Sequence, residues 1–366
     1  MLTPYPPTLS GLARFGAGLS GALVDEGHQV DVIRVADDAV EISDRVVAAL
    51  VNGSSSSAAA CATHLDACDV ALIQHHDDIY GGTHGDALVG LISGLRVPAV
   101  LIVHSVPKDP APHQRWVLEG IVGAAQRVVV MSNTARERLC TDYAVERAKV
   151  VTIPHGAVIP SRARSRRASR PTILTWGLLR EGKGIERVID AMASLRDMPG
   201  RPRYLVVGQT HPEALRTEGE SYRESLVARA KEAGLGDSVV IDGRFYDDTS
   251  LIELVQSVSA VVLPYDSTDQ VTSGVLVDAL VRGRPVVATA FPHAVELLSG
   301  GAGILVDHDE PGALAAALRR VLTQPRVAGA MAAEARSIAP QMAWPLVGRE
   351  YTSLARQVLA DNQVLG

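Results

Sequence analysis

Short apolar runs alternate with helical patterns along nearly the whole 366-residue chain, and that alternation limits the fold more than any other feature. A strand followed by a helix, many times over, is the pattern of parallel sheets covered by helices on both faces. Strands are expected at Val30–Val35, Val70–Gln74, Ala99–Val103, Arg127–Met131 and Val150–Ile153, with helices between them such as Ala13–Glu26 and His113–Ala125. A second series follows at Thr172–Trp176, Tyr204–Gly208, Val239–Asp242, Ala260–Pro264, Pro285–Ala288 and Gly303–Val306. Aromatic residues make up only 4% of the chain, and Ala, Val and Leu carry the apolar weight, which suits strands buried on both faces.

The chain is longer than one compact core usually holds, so two domains are expected. The reading is a first domain at 1–160, a linker at 161–170, a second domain at 171–343, and a helix at 344–366 returning to the first. The fold class is α/β, with two doubly wound, Rossmann-like parallel sheets facing across a cleft where the carboxyl ends of the strands bind ligands. The boundary rests on Arg162, Arg164, Arg166, Arg167 and Arg170, which lie in a stretch of little apolar content and read as a solvated linker. The run SSSSAAA at 54–60 reads as a mobile surface loop before a helix. Only Met1 and Leu2 precede Thr3-Pro4-Tyr5-Pro6-Pro7, so the first strand looks clipped, either short at a sheet edge or begun upstream.

A net charge of −6 argues against general nucleic-acid affinity, which needs clustered cations. Cys61, Cys68 and Cys140 lack paired metal-ligand spacing and read as buried free thiols of a reducing cytoplasm. No apolar run has the length of a membrane span, so a cytoplasmic location is expected, with peripheral membrane contact left open.

Three segments carry chemistry. Tyr5-Pro6-Pro7-Thr8-Leu9-Ser10-Gly11-Leu12-Ala13 joins a strand to a helix through a turn ending in Gly11, which can aim backbone N–H groups at an anion or simply turn the chain. Thr175-Trp176-Gly177-Leu178-Leu179-Arg180-Glu181-Gly182-Lys183-Gly184 sets two cations among glycines, suited to a diphosphate or, equally, to a solvated surface turn. In Asp269–Val287, the small residues Thr272, Ser273 and Gly274 suit a helix start with free N–H groups. Asp278 falls inside that apolar helix, where a carboxylate must face water or receive donors such as ribose hydroxyls.

These segments, with Ile153-Pro154-His155-Gly156, resemble the large family of retaining GT-B glycosyltransferases that use nucleotide sugars (glycosyl transferases group 1, family 4). Asp278-Ala279-Leu280-Val281-Arg282-Gly283-Arg284-Pro285-Val286-Val287 is similar to that family's Glu-Ala-Met-Ala-x-Gly-x-Pro-Val-Val. A subgroup with a Thr-Ser-Gly helix start is matched by Gln74-His75, Gly81-Gly82, His104, Gly208-Gln209-Thr210-His211-Pro212 and Pro292-His293-Ala294-Val295-Glu296 as well. The resemblance implies metal-free hexosyl transfer from a nucleotide diphosphate sugar to a hydroxyl acceptor, with no cofactor.

By the same resemblance Gly11, Gly177, Gln270, Thr272, Ser273, Gly274 and Asp278 bind the donor, with Asp278 on the ribose. Lys183 neutralises the diphosphate, and His104 lies near the transferred sugar. Gln74, His75 and Gly82 face the acceptor. Two positions depart from the pattern: Gln270 stands where the family has a glutamate, and Leu178 where it has an arginine, for which Arg180 substitutes. His75, His76, Asp77 and Asp78 invite a metal, yet neighbours on an extended strand point to opposite faces. Other readings stay open: an epimerase, with His104 and Glu296 as acid and base, a phosphorylase, or an inactive nucleotide-sugar-binding relative.

Overall fold

The computed structural model describes residues 1–36, 43, 45–160, 170–310 and 312–365. It divides into two units, Met1–Gly156 with Gln341–Gly366, and Ala157–Pro340.

The first unit is built on β1 (Leu2–Thr3), α1 (Gly11–Asp25), β2 (Val32–Ala36), β3 (Val46–Val51), α2 (Ser55–Asp66), β4 (Ala71–His75), α3 (Ala87–Ser93), β5 (Ala99–Val103), α4 (Pro112–Ala124), β6 (Arg127–Val130), α5 (Asn133–Asp142) and β7 (Val150–Thr152). Its strands form one parallel sheet in the order β3-β2-β1-β4-β5-β6-β7. Every residue of β4 and β5 is buried, as their unbroken apolar character requires of strands covered on both faces.

Three expectations need correction here. The clipped first strand is not an edge: β1 lies in mid-sheet, pairing with β2 on one side and β4 on the other, and Leu2 and Thr3 are fully buried. The SSSSAAA run is not a loop but the first turns of α2, because Ser54 caps the helix by accepting from the Ser57 N–H and alanine favours the helical state. The strand β3 was missed, its two central alanines being weak strand formers.

The C-terminal helix Trp344–Leu365 packs on α1. Val347, Tyr351, Leu354 and Val358 share a core cluster with Phe15, Leu19 and Leu23 of α1, and glycines permit the close approach. A Cβ on Gly348 would come 2.9 Å from the Ala22 Cβ, and one on Gly156 would come 2.2 Å from the Trp344 ring.

The second unit runs β8 (Thr172–Trp176), α6 (Ile185–Leu195), β9 (Arg203–Val207), α7 (Pro212–Glu218), α8 (Ser221–Glu232), β10 (Val239–Asp242), α9 (Asp248–Ser257), β11 (Ala260–Leu263), α10 (Gly274–Val281), β12 (Val286–Thr289), α11 (Pro292–Leu298), β13 (Gly303–Val306), α12 (Ala313–Thr323) and α13 (Pro325–Ile338). The parallel order β10-β9-β8-β11-β12-β13 reverses direction beside β8, so the loops after β8 and β11 flank the switch point where open sheets bind ligands. The helix α6 shows why such helices form: Ile185, Val188, Ile189, Met192 and Leu195 recur at helical spacing and are all buried against the sheet.

Of the arginine run, positions 162, 164, 166 and 167 lie outside the described residues. Arg170 is not a solvated linker residue, since its guanidinium donates to the Asp237 carbonyl and the Ser238 hydroxyl and also to the Arg201 carbonyl. The three cysteines are free, but only Cys61 is buried; Cys68 and Cys140 are partly exposed. Among the described residues no helix is long and apolar enough to cross a membrane.

Candidate active site

In the second unit the chemistry gathers at the ends of β8 and β11. After β8 the chain turns through Gly177, whose φ of +131° is glycine territory and whose missing Cβ would stand 4.0 Å from the Val275 side chain at the start of α10. The following loop folds back on the segment after β11: the Asp266 N–H donates to the Gly182 carbonyl, and a Cβ on Gly184 would lie 1.9 Å from the Pro264 carbonyl oxygen. That clasp fixes Lys183, whose ammonium sits 4.5 Å from the centroid of the Tyr265 ring.

Lys183 is half-buried, which sets it apart from the alternative of a solvated surface turn. Burial, with the nearby Arg180 charge adding to it, lowers its pKa to about 8. No described carboxylate pairs with it, and Arg180 is exposed with no ion pair among the described residues. Asp266, whose N–H meets the loop at Gly182, is taken by Arg187 at 2.8 Å.

Tyr265 carries the connection onward. Its ring is buried and stacks on Phe291 at 5.2 Å, and its hydroxyl faces the side chain of Ser273. Ser273 caps α10, its hydroxyl accepting from the Leu276 N–H, while its own N–H donates to His293 Nδ1 at 2.9 Å. Gly274 and Val275 keep N–H groups without an acceptor among the described residues. The Thr272 hydroxyl is buried without a hydrogen-bond partner among the described residues, and Gln270 Nε2 donates to the Thr272 carbonyl across the turn. Lys183, Gly177, Gln270, Thr272, Ser273 and Gly274 thus converge on one place.

Asp278 follows on α10, its side chain 23% exposed. Of the two expectations, water or donors, the structure shows a donor: the carboxylate receives Arg282 at 2.6 Å, a guanidinium 2% exposed. A buried arginine placed four residues on was not considered from the sequence.

In the first unit the predicted residues are of another kind. His75 ends β4, and the His104 N–H just after β5 donates to its carbonyl. Gln74 and His75, expected to face an acceptor, are both 1% exposed. Gln74 is a structural tie instead, donating to Thr3 Oγ1 and the Leu12 carbonyl, because β1 is too short to anchor the start of α1 by itself. The His75 ring has no hydrogen-bond partner among the described residues, and burial lowers its pKa to about 3.

His104 is half-buried and neutral, its pKa pushed well down by burial and then by His155, His76 and His75. The Phe15 ring meets it edge-on at 4.8 Å and also contacts His155 and Trp344, an aromatic group that sequence reasoning did not single out. Gly11 opens α1, exposed and with open space where a Cβ would be. Gly82 has φ +84°, and a Cβ there would collide with the Asp86 carboxylate. Among the described residues no three His, Cys, Asp or Glu side chains gather as metal ligands would.

Two parallel, Rossmann-like domains with glycine turns at their strand ends define the GT-B architecture. Residues 9–158 match Glycosyltransferase Family 4, and residues 170–324 match Glycosyl transferases group 1. These matches span most of both units, and the chain belongs to the GT-B glycosyltransferases. It is 28% identical to the D-inositol 3-phosphate glycosyltransferase of Kineococcus radiotolerans over 79% of this chain and 73% of that one. Against the protein of the same name from Actinosynnema mirum the identity is 28%, over 74% and 70%. Among solved structures, sucrose-phosphate synthase from Thermosynechococcus elongatus superposes with a TM-score of 0.76 at 20% identity, covering 96% of this chain and 94% of that one. Anabaena HepE in complex with UDP-glucose gives 0.75 at 17% identity, covering 97% and 98%.

Proposed function

We propose that this glycosyltransferase moves a hexosyl group from a nucleoside diphosphate sugar to a hydroxyl-bearing acceptor, with retention at the anomeric carbon and without a metal ion. The observation that carries the reading is Lys183: a half-buried cation with no described carboxylate, resting on Tyr265 beside a turn that offers two open N–H groups. Such a set is complete only with an anion beside it. As the bond from the anomeric carbon to the phosphate oxygen breaks, its electron pair moves onto the diphosphate. Fixed positive groups there favour the transition state over the ground state. The acceptor hydroxyl bonds to the anomeric carbon and its proton passes to the leaving phosphate.

The remaining roles follow the chemistry of each group. Asp278, held by Arg282, accepts from the ribose, and Gln270 offers an uncharged amide to sugar hydroxyls. Arg180 reaches the diphosphate from the exposed side of its loop. His104, kept neutral, can exchange hydrogen bonds with a sugar hydroxyl, whereas a cation there would repel the sugar's developing positive charge. The family resemblance supplies the stereochemistry, HepE was solved with UDP-glucose, and the relatives' names point to a phosphorylated cyclitol as one acceptor to try.

The test is a panel of UDP-, GDP- and ADP-sugars in excess EDTA, following nucleoside diphosphate release with and without acceptors that include D-inositol 3-phosphate. Acceptor-dependent release supports the reading, and an anomeric coupling constant matching the donor's supports retention. Gln270, which brings no charge and bonds within its own turn, favours a second reading as a sugar-nucleotide-binding relative without turnover. Tight binding with no release from any donor selects that reading.

A further inference from the structure

The segment Pro292–Glu296 stands apart from the site residues assigned above, yet His293 touches the donor turn twice. Its ring is buried, 2% exposed, at the start of α11. Nδ1 accepts from the Ser273 N–H at 2.9 Å, and the His293 N–H donates to the Gln270 carbonyl at 3.2 Å. Because Nδ1 accepts, the ring hydrogen belongs on Nε2. One residue therefore pins both ends of the 270–273 turn, and Gln270 Nε2 on the Thr272 carbonyl closes it internally.

The consequence concerns which N–H groups remain for an anion. The first turn of α10 leaves backbone donors unpaired by its own geometry. His293 consumes that of Ser273, and the Ser273 hydroxyl consumes that of Leu276, leaving Gly274 and Val275. Without the imidazole the Ser273 N–H is a buried donor lacking an acceptor, which the turn can relieve only by rotating. Rotation would also move the Ser273 hydroxyl off Tyr265, the ring on which Lys183 rests.

We infer that His293 is a positioning residue for the donor diphosphate, holding the 270–273 turn so that the Gly274 and Val275 N–H groups and Lys183 face one anion. This rests on the donor site proposed above. It touches neither donor nor acceptor itself, so it should act on donor affinity and leave the acceptor KM unchanged.

The test is titration calorimetry of the full chain with UDP, GDP, ADP and inorganic pyrophosphate, the last probing the anion cradle whatever the base. His293→Ala should weaken the best-bound nucleoside diphosphate by roughly tenfold to 10²-fold, the scale on which misplaced binding groups act. His293→Asn carries an acceptor at the same remove from the backbone as Nδ1 and should restore affinity to within a few-fold. His293→Gln, longer by one carbon, should not. If His293→Ala fails to fold, the Asn and Gln variants decide alone. Equal affinity of wild type and a folded His293→Ala, or of the Asn and Gln variants, overturns the inference while leaving the donor site standing. Failure of the wild type to bind any of the four ligands removes the donor site, and the inference with it.

Discussion

The Lys183–Ser273 region of the second unit and the His75–His104 region of the first both lie where parallel strands end, yet their electrostatics are opposite in kind. The second unit holds a half-buried cation and backbone N–H groups without acceptors among the described residues; the first holds the neutral His104 ring against Phe15, with ring nitrogens of His75 and His104 that have no hydrogen-bond partner among the described residues. Under the proposed function, the contrast assigns charge stabilisation to the second unit and uncharged, hydroxyl-rich groups to the first. The predictions below attack that division of labour.

The largest effect is expected at Lys183. Lys183→Ala should lower kcat by about 10²-fold or more at saturating donor and acceptor, as losing one preorganised charge-stabilising group does. Its melting temperature should not fall, since a half-buried ammonium whose pKa is depressed to about 8 gains nothing from folding in its charged form. Normal turnover would make the residue an ordinary surface lysine and erase the contrast.

Asp278→Asn comes next. It should weaken nucleoside diphosphate binding by about 1.5–3 kcal/mol, the range for a hydrogen bond to a charged group, and lower stability because Arg282 is left buried without its carboxylate. Calorimetry on the folded variant reads the first effect and thermal unfolding the second. Unchanged nucleotide affinity would refute the ribose assignment.

A perturbation of the first unit should behave differently. Gly156→Ala drives a Cβ into the Trp344 ring, so it should destabilise by about 1–3 kcal/mol, the usual range for overpacking. Nucleoside diphosphate affinity measured well below the unfolding temperature should stay at the wild-type value. A parallel loss of affinity would show that the two regions do not divide the work.

The smallest effect sharpens the Lys183 argument through pH. In the free protein the ammonium loses its proton above about 8, against an ordinary value of 10.5, and a bound diphosphate favours the charged form. Affinity should therefore be full below pH 8 and fall about tenfold per unit above it, with a proton taken up on binding, until the bound-state pKa is passed. Lys183→Ala should abolish the slope, and calorimetry in buffers of different ionisation enthalpy reads the proton.

How far these features were legible from sequence depends on how local they are. Strands such as Thr172–Trp176 and Val239–Asp242 follow from unbroken apolar runs between turn residues, and they occur at the expected positions. The Ser54 cap is local too, but a serine run before alanines suits a loop as well as a helix start, and only the observed bonds decide. Arg170 could not be placed, because its acceptors lie 31 to 68 positions away. Tyr265 and His293 went unassigned for the same reason: one is defined by a lysine on another loop, the other by an N–H in the turn before α10. The residue types named in the donor turn came from its glycines and small polar residues, whereas the groups that hold the turn are set by tertiary packing.

The central claim is that the protein's own cation and N–H groups do the charge work that a metal would otherwise do. It is tested most directly by measuring transfer in excess EDTA with the donor that scores in the panel. The account predicts the same rate as in untreated enzyme, with no gain from added magnesium or manganese. Complete loss in EDTA, restored by either ion, would contradict it.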